Sequence, residues 1–356
     1  MSPSVVRADL HTDAQQLIDF LKANVNTRMS PAAFQWQYVN APGPVIFNIA
    51  KDGAAVVCSQ SFLPFPMRAN GSPMLTAKSE NSFLAKEHRG TPLFQDIYAK
   101  GVSDCFAANM PVVWGYTPAV KVWRDRLGFR VEEERMWHSI VPIGVPPRPG
   151  FKAGPRAWAG RALTAARAAI VRSRTAKLGK AFARADDHEW RDRPLAANDI
   201  NALVEKLGGA STFHLDMSDR FMAWRVWENP NLDYTGHFLY RGGALAGYAL
   251  VAVKRGAKSP TAQLSDMAFT SEADGWLLLD RVVRAGTQAG CTWLRFFGNR
   301  ANAVVRPVFD LLQKLPGARA MPDRGMAFVV KPDEGFTPTE YDTWCMNGLW
   351  TEGYSM

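Results

Sequence analysis

Met74-Leu75-Thr76-Ala77-Lys78-Ser79-Glu80-Asn81-Ser82-Phe83-Leu84 runs into Ala85-Lys86-Glu87-His88-Arg89-Gly90 and then into Thr91-Pro92-Leu93-Phe94. The first run predicts a strand, the second a turn, and the third the start of a helix reaching about Ala108. A strand over 111–116, a second helix and Leu127-Gly128-Phe129 complete the arrangement. Arg89-Gly90 places a cation and a permissive backbone just before a helix start, where unpaired amides and partial positive charge collect. Thr91 is expected as the N-cap and Pro92 as the first helical residue. Such a turn suits a phosphate or pyrophosphate. An ordinary turn with a solvated arginine is the plainer alternative.

Four segments widen the pattern: Ser79-Glu80-Asn81, His88-Arg89-Gly90-Thr91-Pro92-Leu93-Phe94, Trp114-Gly115-Tyr116-Thr117-Pro118 and Arg126-Leu127-Gly128-Phe129. In this order they resemble the GCN5-related N-acetyltransferase (GNAT) family. In that family an Arg-Gly-x-Gly turn cradles the coenzyme A pyrophosphate, and Leu-Gly-Phe closes the acyl-CoA cleft. Two positions depart from the pattern. Glu87 stands where Arg or Gln is usual, three residues before Gly90. Pro92 replaces a small residue and removes one amide.

The 356 residues suffice for two domains, and 47% hydrophobic with 21% charged residues describes a globular chain. No apolar run is long enough to span a membrane, and the first ten residues lack an export pattern. Cys58, Cys105, Cys291 and Cys345 are far apart and read as buried reduced thiols, and the histidine spacing suggests no metal site. The net charge of +9 is local. Ten Lys/Arg and no acid lie from Arg148 to Arg184, leaving about −1 for the rest. Affinity of the folded domains for nucleic acid is therefore not expected.

Before the decisive stretch come a helix over 13–23, the alternating Phe34, Trp36 and Tyr38, and a hairpin through Asp52-Gly53. The alternation fits a half-buried strand. Its resemblance to a Phe-x-Trp-x-Tyr…Asn-x-Pro lead-in of bacterial GNAT proteins implies an aromatic wall at the acceptor site instead. Residues 142–195 read as a basic, Ala/Arg-rich helical linker, with Leu163, Ile170, Leu178 and Phe182 on one side. A solvated linker helix and docking on anionic headgroups are its two readings. Residues 196–335 repeat the order weakly, with Arg220-Phe221…Trp224-Arg225…Asn229-Pro230 as lead-in. After Phe269 no Arg-Gly turn follows. The aromatic tail over 336–356 is expected to pack back on the body.

The expected fold is α/β (α+β): two GNAT-like domains, each a mixed, mostly antiparallel sheet flanked by helices. The first covers 1–141 and carries the acyl-CoA site; the second lacks the phosphate turn. The resemblance implies an acyl-CoA-dependent N-acyltransferase acting by direct attack of an amine on the thioester. Glu80 would take the amine proton, and Tyr116 stands where a GNAT general acid is often found. Ser82, Phe83, Leu84, His88, Arg89, Gly90 and Thr91 would bind coenzyme A. Trp36, Tyr38 and Asp266 would line the acceptor. No permanent cofactor is expected, only acyl-CoA as cosubstrate. The basic segment favours a membrane-associated acceptor, a long-chain amino lipid (sphingoid or ceramide-type) or a lipid-linked amino sugar. The location expected is cytoplasmic, with peripheral contact at the inner face of the cytoplasmic membrane. A cytosolic amino-sugar acetyltransferase and a degenerate, non-catalytic GNAT module are the alternatives.

Overall fold

Asn70 (φ 51°) and Gly71 (φ 73°) both take left-handed backbone, which turns one long strand straight into the next. Residues 55–84 are thus a single hairpin, whose first strand runs straight through Pro64 and Pro66. The computed structural model describes residues 3–351 except 26–28, 134–135, 149, 151–153, 184–187, 210, 255–259, 324 and 338–339. Arg184 and Tyr354 therefore lie outside the described residues.

The chain begins β1 (Ser4–Arg7), α1 (Ala14–Asn24), α2 (Pro31–Phe34), β2 (Ile46–Asp52), β3 (Ala55–Ala69) and β4 (Ser72–Leu84). Next come α3 (Leu93–Ala107), β5 (Val112–Thr117), β6 (Arg130–Glu132) and β7 (Met136–Pro142). The middle holds α4 (Pro155–Ala183), β8 (Glu189–Arg191), α5 (Asp199–Gly208), β9 (His214–Leu215) and α6 (Asp219–Met222). Last are β10 (Leu232–Arg241), β11 (Ala244–Lys254), β12 (Thr261–Phe269), α7 (Glu272–Gln288), β13 (Trp293–Asn299), α8 (Arg306–Gln313), β14 (Arg319–Pro322) and β15 (Ala327–Pro332).

Two units result. The first comprises Met1–Glu134, Arg220–Pro230 and Arg324–Glu340; the second comprises Arg135–Asp219, Asn231–Asp323 and Tyr341–Met356. In the first, seven strands lie in the order β1-β2-β3-β4-β5-β15-β6; in the second, β14-β7-β13-β12-β11-β10-β8. Each sheet is antiparallel apart from one parallel pair, β4–β5 and β12–β13 respectively. Each unit borrows a strand from the far end of the chain. β15, last in sequence, pairs with β5 and β6, whereas β7 pairs with β13 and β14. The units are therefore discontinuous, where the sequence suggests contiguous segments.

The alternation of Phe34, Trp36 and Tyr38 does not mark a strand. These residues sit on α2 and on a π-helical turn, Gln35–Val39, and all three are buried. Ser30 caps α2, its hydroxyl accepting from the Ala33 amide, and Pro31 follows at the first position. A matching π-turn, Ala223–Trp227, follows α6.

In the second unit α4 packs on α7 through Ala168, Val171, Thr175 and Gly179. The fit is close: a Cβ on Gly179 would lie 2.9 Å from Asp280 Oδ2. The apolar side expected from the sequence is not the buried one. Leu163 and Ile170 are 52% and 53% exposed, and Trp158 46%.

Candidate active site

In the first unit Ser59 pairs with Phe83 but Ser61 pairs with Glu80, so β4 carries one residue more than β3. The bulge centres on Asn81, whose φ is 53°. Glu80 and Asn81 consequently share a side. Gln37 Nε2 donates to Glu80 Oε2 at 2.7 Å, and Asn81 Nδ2 donates to the Tyr38 hydroxyl. Ser79 and Ser82 face the other side, with hydroxyls 2.9 and 2.6 Å from that of Tyr98 on α3.

Beyond the bulge β4 and β5 separate. Their parallel ladder consists of Ala77–Val113 and Lys78–Trp114 among the described residues. At Gly115 the strands still pass closely, since a Cβ there would lie 3.3 Å from the Ser79 carbonyl oxygen. Past it, Glu80–Leu84 lines one strand and Tyr116–Thr117 the other. β4 then enters a 3-10 turn, Lys86–His88, followed by extended Arg89 and left-handed Gly90 (φ 88°).

Helix α3 starts at Leu93 with Pro92 as its N-cap. Thr91 is not the cap, because its hydroxyl turns back to donate to the His88 carbonyl at 2.7 Å. Proline therefore stands before the helix rather than in it, and the first-turn amides survive. Among the described residues the amides of Gly90, Leu93 and Phe94 find no acceptor. Arg89, Gly90 and Thr91 are exposed around them, and His88 Nε2 lies 3.8 Å from Asp52.

The side opposite α3 holds the predicted chemistry. Glu80 and Lys78 form an ion pair in which both side chains are 2% exposed. The Lys78 ammonium also lies over the rings of Phe65 and Trp114, at 5.6 and 5.9 Å. Tyr116 packs between Trp114 and Phe328, and burial pushes its phenol well above the ordinary value. Trp36 stacks on Trp224, each indole N–H donating to the other's carbonyl at 2.6 and 2.7 Å. The two π-turns thus meet as near-equivalents, with buried Arg225 over both tryptophan rings. Sequence reasoning missed Lys78, Gln37 and Tyr98. For Lys78 a signal existed: charges at alternate strand positions share a face.

The second unit repeats the geometry with a different outcome. Leu250 pairs with Asp266 and Val251 with Leu264, which puts a bulge at Ser265. The β12–β13 ladder ends at Leu264–Phe296. Between the parted strands lies the aromatic tail. Asn347 bridges Gly298, the Asn299 amide donates to Met346, and a Cβ on Gly348 would meet Ser265 backbone at 3.0 Å. Trp344 and Trp350 are buried beside it. Asp266 belongs to this plugged site in the second unit, whereas Trp36 and Tyr38 belong to the first unit. Burial pushes its carboxyl up to about 7 against hydrogen bonds from Tyr248 (2.8 Å), the Met267 amide and Asn347.

Helix α7, which follows β12, is capped. Ser271 Oγ accepts from the Asp274 amide, and Asp274 in turn binds Arg241 and Thr270. Its first turn carries Glu272 and Asp274, which repel an anion.

Solved structures resemble this chain along almost its whole length. A GCN5-related N-acetyltransferase from Anabaena variabilis matches with a TM-score of 0.58 at 12% identity, covering 93% of this chain and 73% of the other. A tandem GNAT protein from the clavulanic acid biosynthesis pathway matches at 0.54 and 14% identity, covering 93% and 98%. The fold is a tandem GNAT fold. N-myristoyltransferase of Saccharomyces cerevisiae, solved with myristoyl-CoA, is also similar (TM-score 0.53, 12% identity, 95% and 82% covered). No protein-family model matches the sequence, nor does any curated protein. Within the tandem GNAT fold, the first unit's parted strands end on an uncapped helix, whereas the second unit's hold the chain's own tail.

Among the described residues no three His, Cys, Asp or Glu cluster as metal ligands, and no helix is long and apolar enough to cross a membrane. The four cysteines are free and buried.

Proposed function

We propose that this chain is an acyl-CoA-dependent N-acyltransferase whose acceptor is the amine of a membrane-associated molecule, a long-chain amino lipid or a lipid-linked amino sugar. One observation carries the reading: in the first unit, bulged and parted strands lead to a helix start with three unclaimed amides beside Arg89. The amides, Arg89 and Gly90 take the pyrophosphate of acyl-CoA, with His88 and Thr91 at the margin. Ser82, Phe83 and Leu84 run beside the pantetheine arm.

In the reaction the amine nitrogen attacks the thioester carbonyl carbon, the C–S bond breaks, and the thiolate leaves. Tyr116, made a weaker acid by burial, supplies the proton once the thiolate's charge develops beside it. Glu80 takes the amine proton. Its oxygens are held by Lys78 and Gln37, so the transfer needs water or the amine to displace one of them. Trp36 and Tyr38 form the acceptor wall.

The membrane part of the reading is supported by α4. Leu163 and Ile170 lie exposed on one side of the helix and Trp158 is exposed near its start, among the basic residues Arg156, Arg161, Arg174 and Lys177. On this reading the protein is cytoplasmic and touches the inner face of the membrane peripherally. A second reading, a GNAT module that binds acyl-CoA without turnover, is favoured by the engagement of Glu80 with Lys78.

The test is calorimetry with acetyl-CoA, palmitoyl-CoA and free coenzyme A, beside turnover with a sphingoid base and a nucleotide-linked amino sugar. Tight palmitoyl-CoA binding, lost about tenfold or more in Arg89→Ala, with acylation of the base, is the expected result. Binding without turnover selects the second reading. A preference for acetyl-CoA and the amino sugar replaces the lipid acceptor, and no thioester binding overturns the site.

A further inference from the structure

In the second unit a cavity of about 270 Å³ lies between α4 and the β14-β7-β13 end of the sheet. Its walls are Thr164 and Arg167 from α4, Arg295 and Trp293 from β13, and Arg319 and Met321 from β14. Arg319 and Arg295 both pair in register with Ile140 of β7. Directly opposed residues share a face, so the two guanidinium stems stand on the same side, two strand spacings or roughly 10 Å apart. The Arg167 stem is pinned from above on Gly317, which has φ +78° and whose absent Cβ would lie 2.7 Å from Arg167 Cδ.

Three arginines therefore line one small space. None of them has an ion pair among the described residues, and the cavity lining contains no carboxylate. Elsewhere in this unit Arg241 pairs with Asp274 and Arg284 with Asp280. Like charges gathered without a counter-charge are unfavourable in the empty site and become favourable around a multiply charged anion. A carboxylate engages one arginine fork. A tetrahedral phosphoryl group presents enough oxygens for three. The volume is below that of sites that enclose drug-sized ligands, so the cavity takes a phosphoryl group with a small substituent and not a whole coenzyme A. Trp293, Met321, Ile140 and Pro142 supply apolar wall for that substituent.

We propose that this cavity is a phosphoryl-binding site, formed by Arg167, Arg295 and Arg319 and separate from the acyl-CoA site of the first unit. The phosphoryl group comes either from an anionic phospholipid headgroup or from a free phosphomonoester. The inference stands whether or not the first unit transfers an acyl group, because its readout is binding.

The experiment titrates the full chain with inorganic phosphate, with glycerol 3-phosphate, and with phosphatidylcholine vesicles with and without phosphatidic acid. Arg295→Gln with Arg319→Gln is compared with Lys206→Gln with Arg306→Gln, which removes the same charge from α5 and α8, outside both α4 and the cavity. Both double variants replace exposed side chains, and their melting curves are recorded to confirm folding. The cavity variant is expected to lose about tenfold in affinity per guanidinium removed, and the outer variant less than about threefold. Loss seen only with phosphatidic acid vesicles assigns a lipid headgroup; loss with glycerol 3-phosphate as well assigns a soluble phosphomonoester. Equal weakening by both double variants, or no binding of any of these probes, overturns the proposal.

Discussion

The first and second units part their strands at the same place in the fold, after a one-residue bulge, yet they spend the opening differently. In the first, the strand leads through Gly90 to a helix with no side-chain cap and no acid until Asp96. In the second, Ser271 and Asp274 close the helix start with their own hydrogen bonds, and the segment 344–350 fills the space between the strands. On the proposed reading, an anion site here is made by leaving amides unclaimed. Where capping and a tail satisfy the same backbone, the fold persists and the site is gone.

The comparison can be broken at several points. The largest effect is expected in the tail. Trp344→Ala together with Trp350→Ala should cost more than the roughly 3–5 kcal/mol of one buried tryptophan, and hydrogen exchange should rise on β12 and β13 while acyl-CoA binding by the first unit is retained. Next comes the charged pair of the first unit. Lys78→Met strands the Glu80 carboxylate in the interior and should cost about 3–5 kcal/mol in denaturant unfolding, most of it recovered when Glu80→Gln is added.

Asp266 gives a smaller effect with a definite sign. Its carboxyl holds a proton in the folded state up to about pH 7 but in the unfolded chain only to about 4. Its contribution to stability is therefore complete below about pH 4 and declines as pH rises to about 7, by at most about 1.4 kcal/mol per pH unit. Burial also lowers His237, to about 4, with the opposite sign: stability rises from about pH 4 to 6.5. Asp266→Asn should leave that rise exposed, and a flat or unchanged profile from pH 4 to 7 would contradict the assignment. The smallest effect is at the helix start that is capped. Ser271→Ala should cost about 1 kcal/mol in thermal unfolding.

Much of the fold was legible in the sequence. Asp52-Gly53 announced a hairpin, and Arg89-Gly90 before an apolar-periodic run announced the turn into α3. Those signals are local, carried by residues that adopt left-handed backbone or precede a helix. The exchange of β7 and β15 was not legible, since both candidate partners of a short apolar strand satisfy the same alternation. The π-turns hid for a related reason: Trp36 and Tyr38 keep period two, yet one extra residue per turn buries both on a helix. In the site, Glu80 stood out as a strand carboxylate, but its partner Lys78 is two residues away and was passed over. Asp266 was singled out by position alone, and Asn347, which binds it, arrives from 81 residues downstream.

The exchanged strands impose an order on biogenesis. A ribosome delivers the chain from residue 1 onward, and β15 is the last strand of the structure to emerge. Until it does, β5 and β6 have no neighbour to join them, and the first sheet stays open at an exposed edge. The first sheet cannot close before residues 327–332 have emerged, so the nascent chain carries an unpaired edge while everything between β6 and β15 is made.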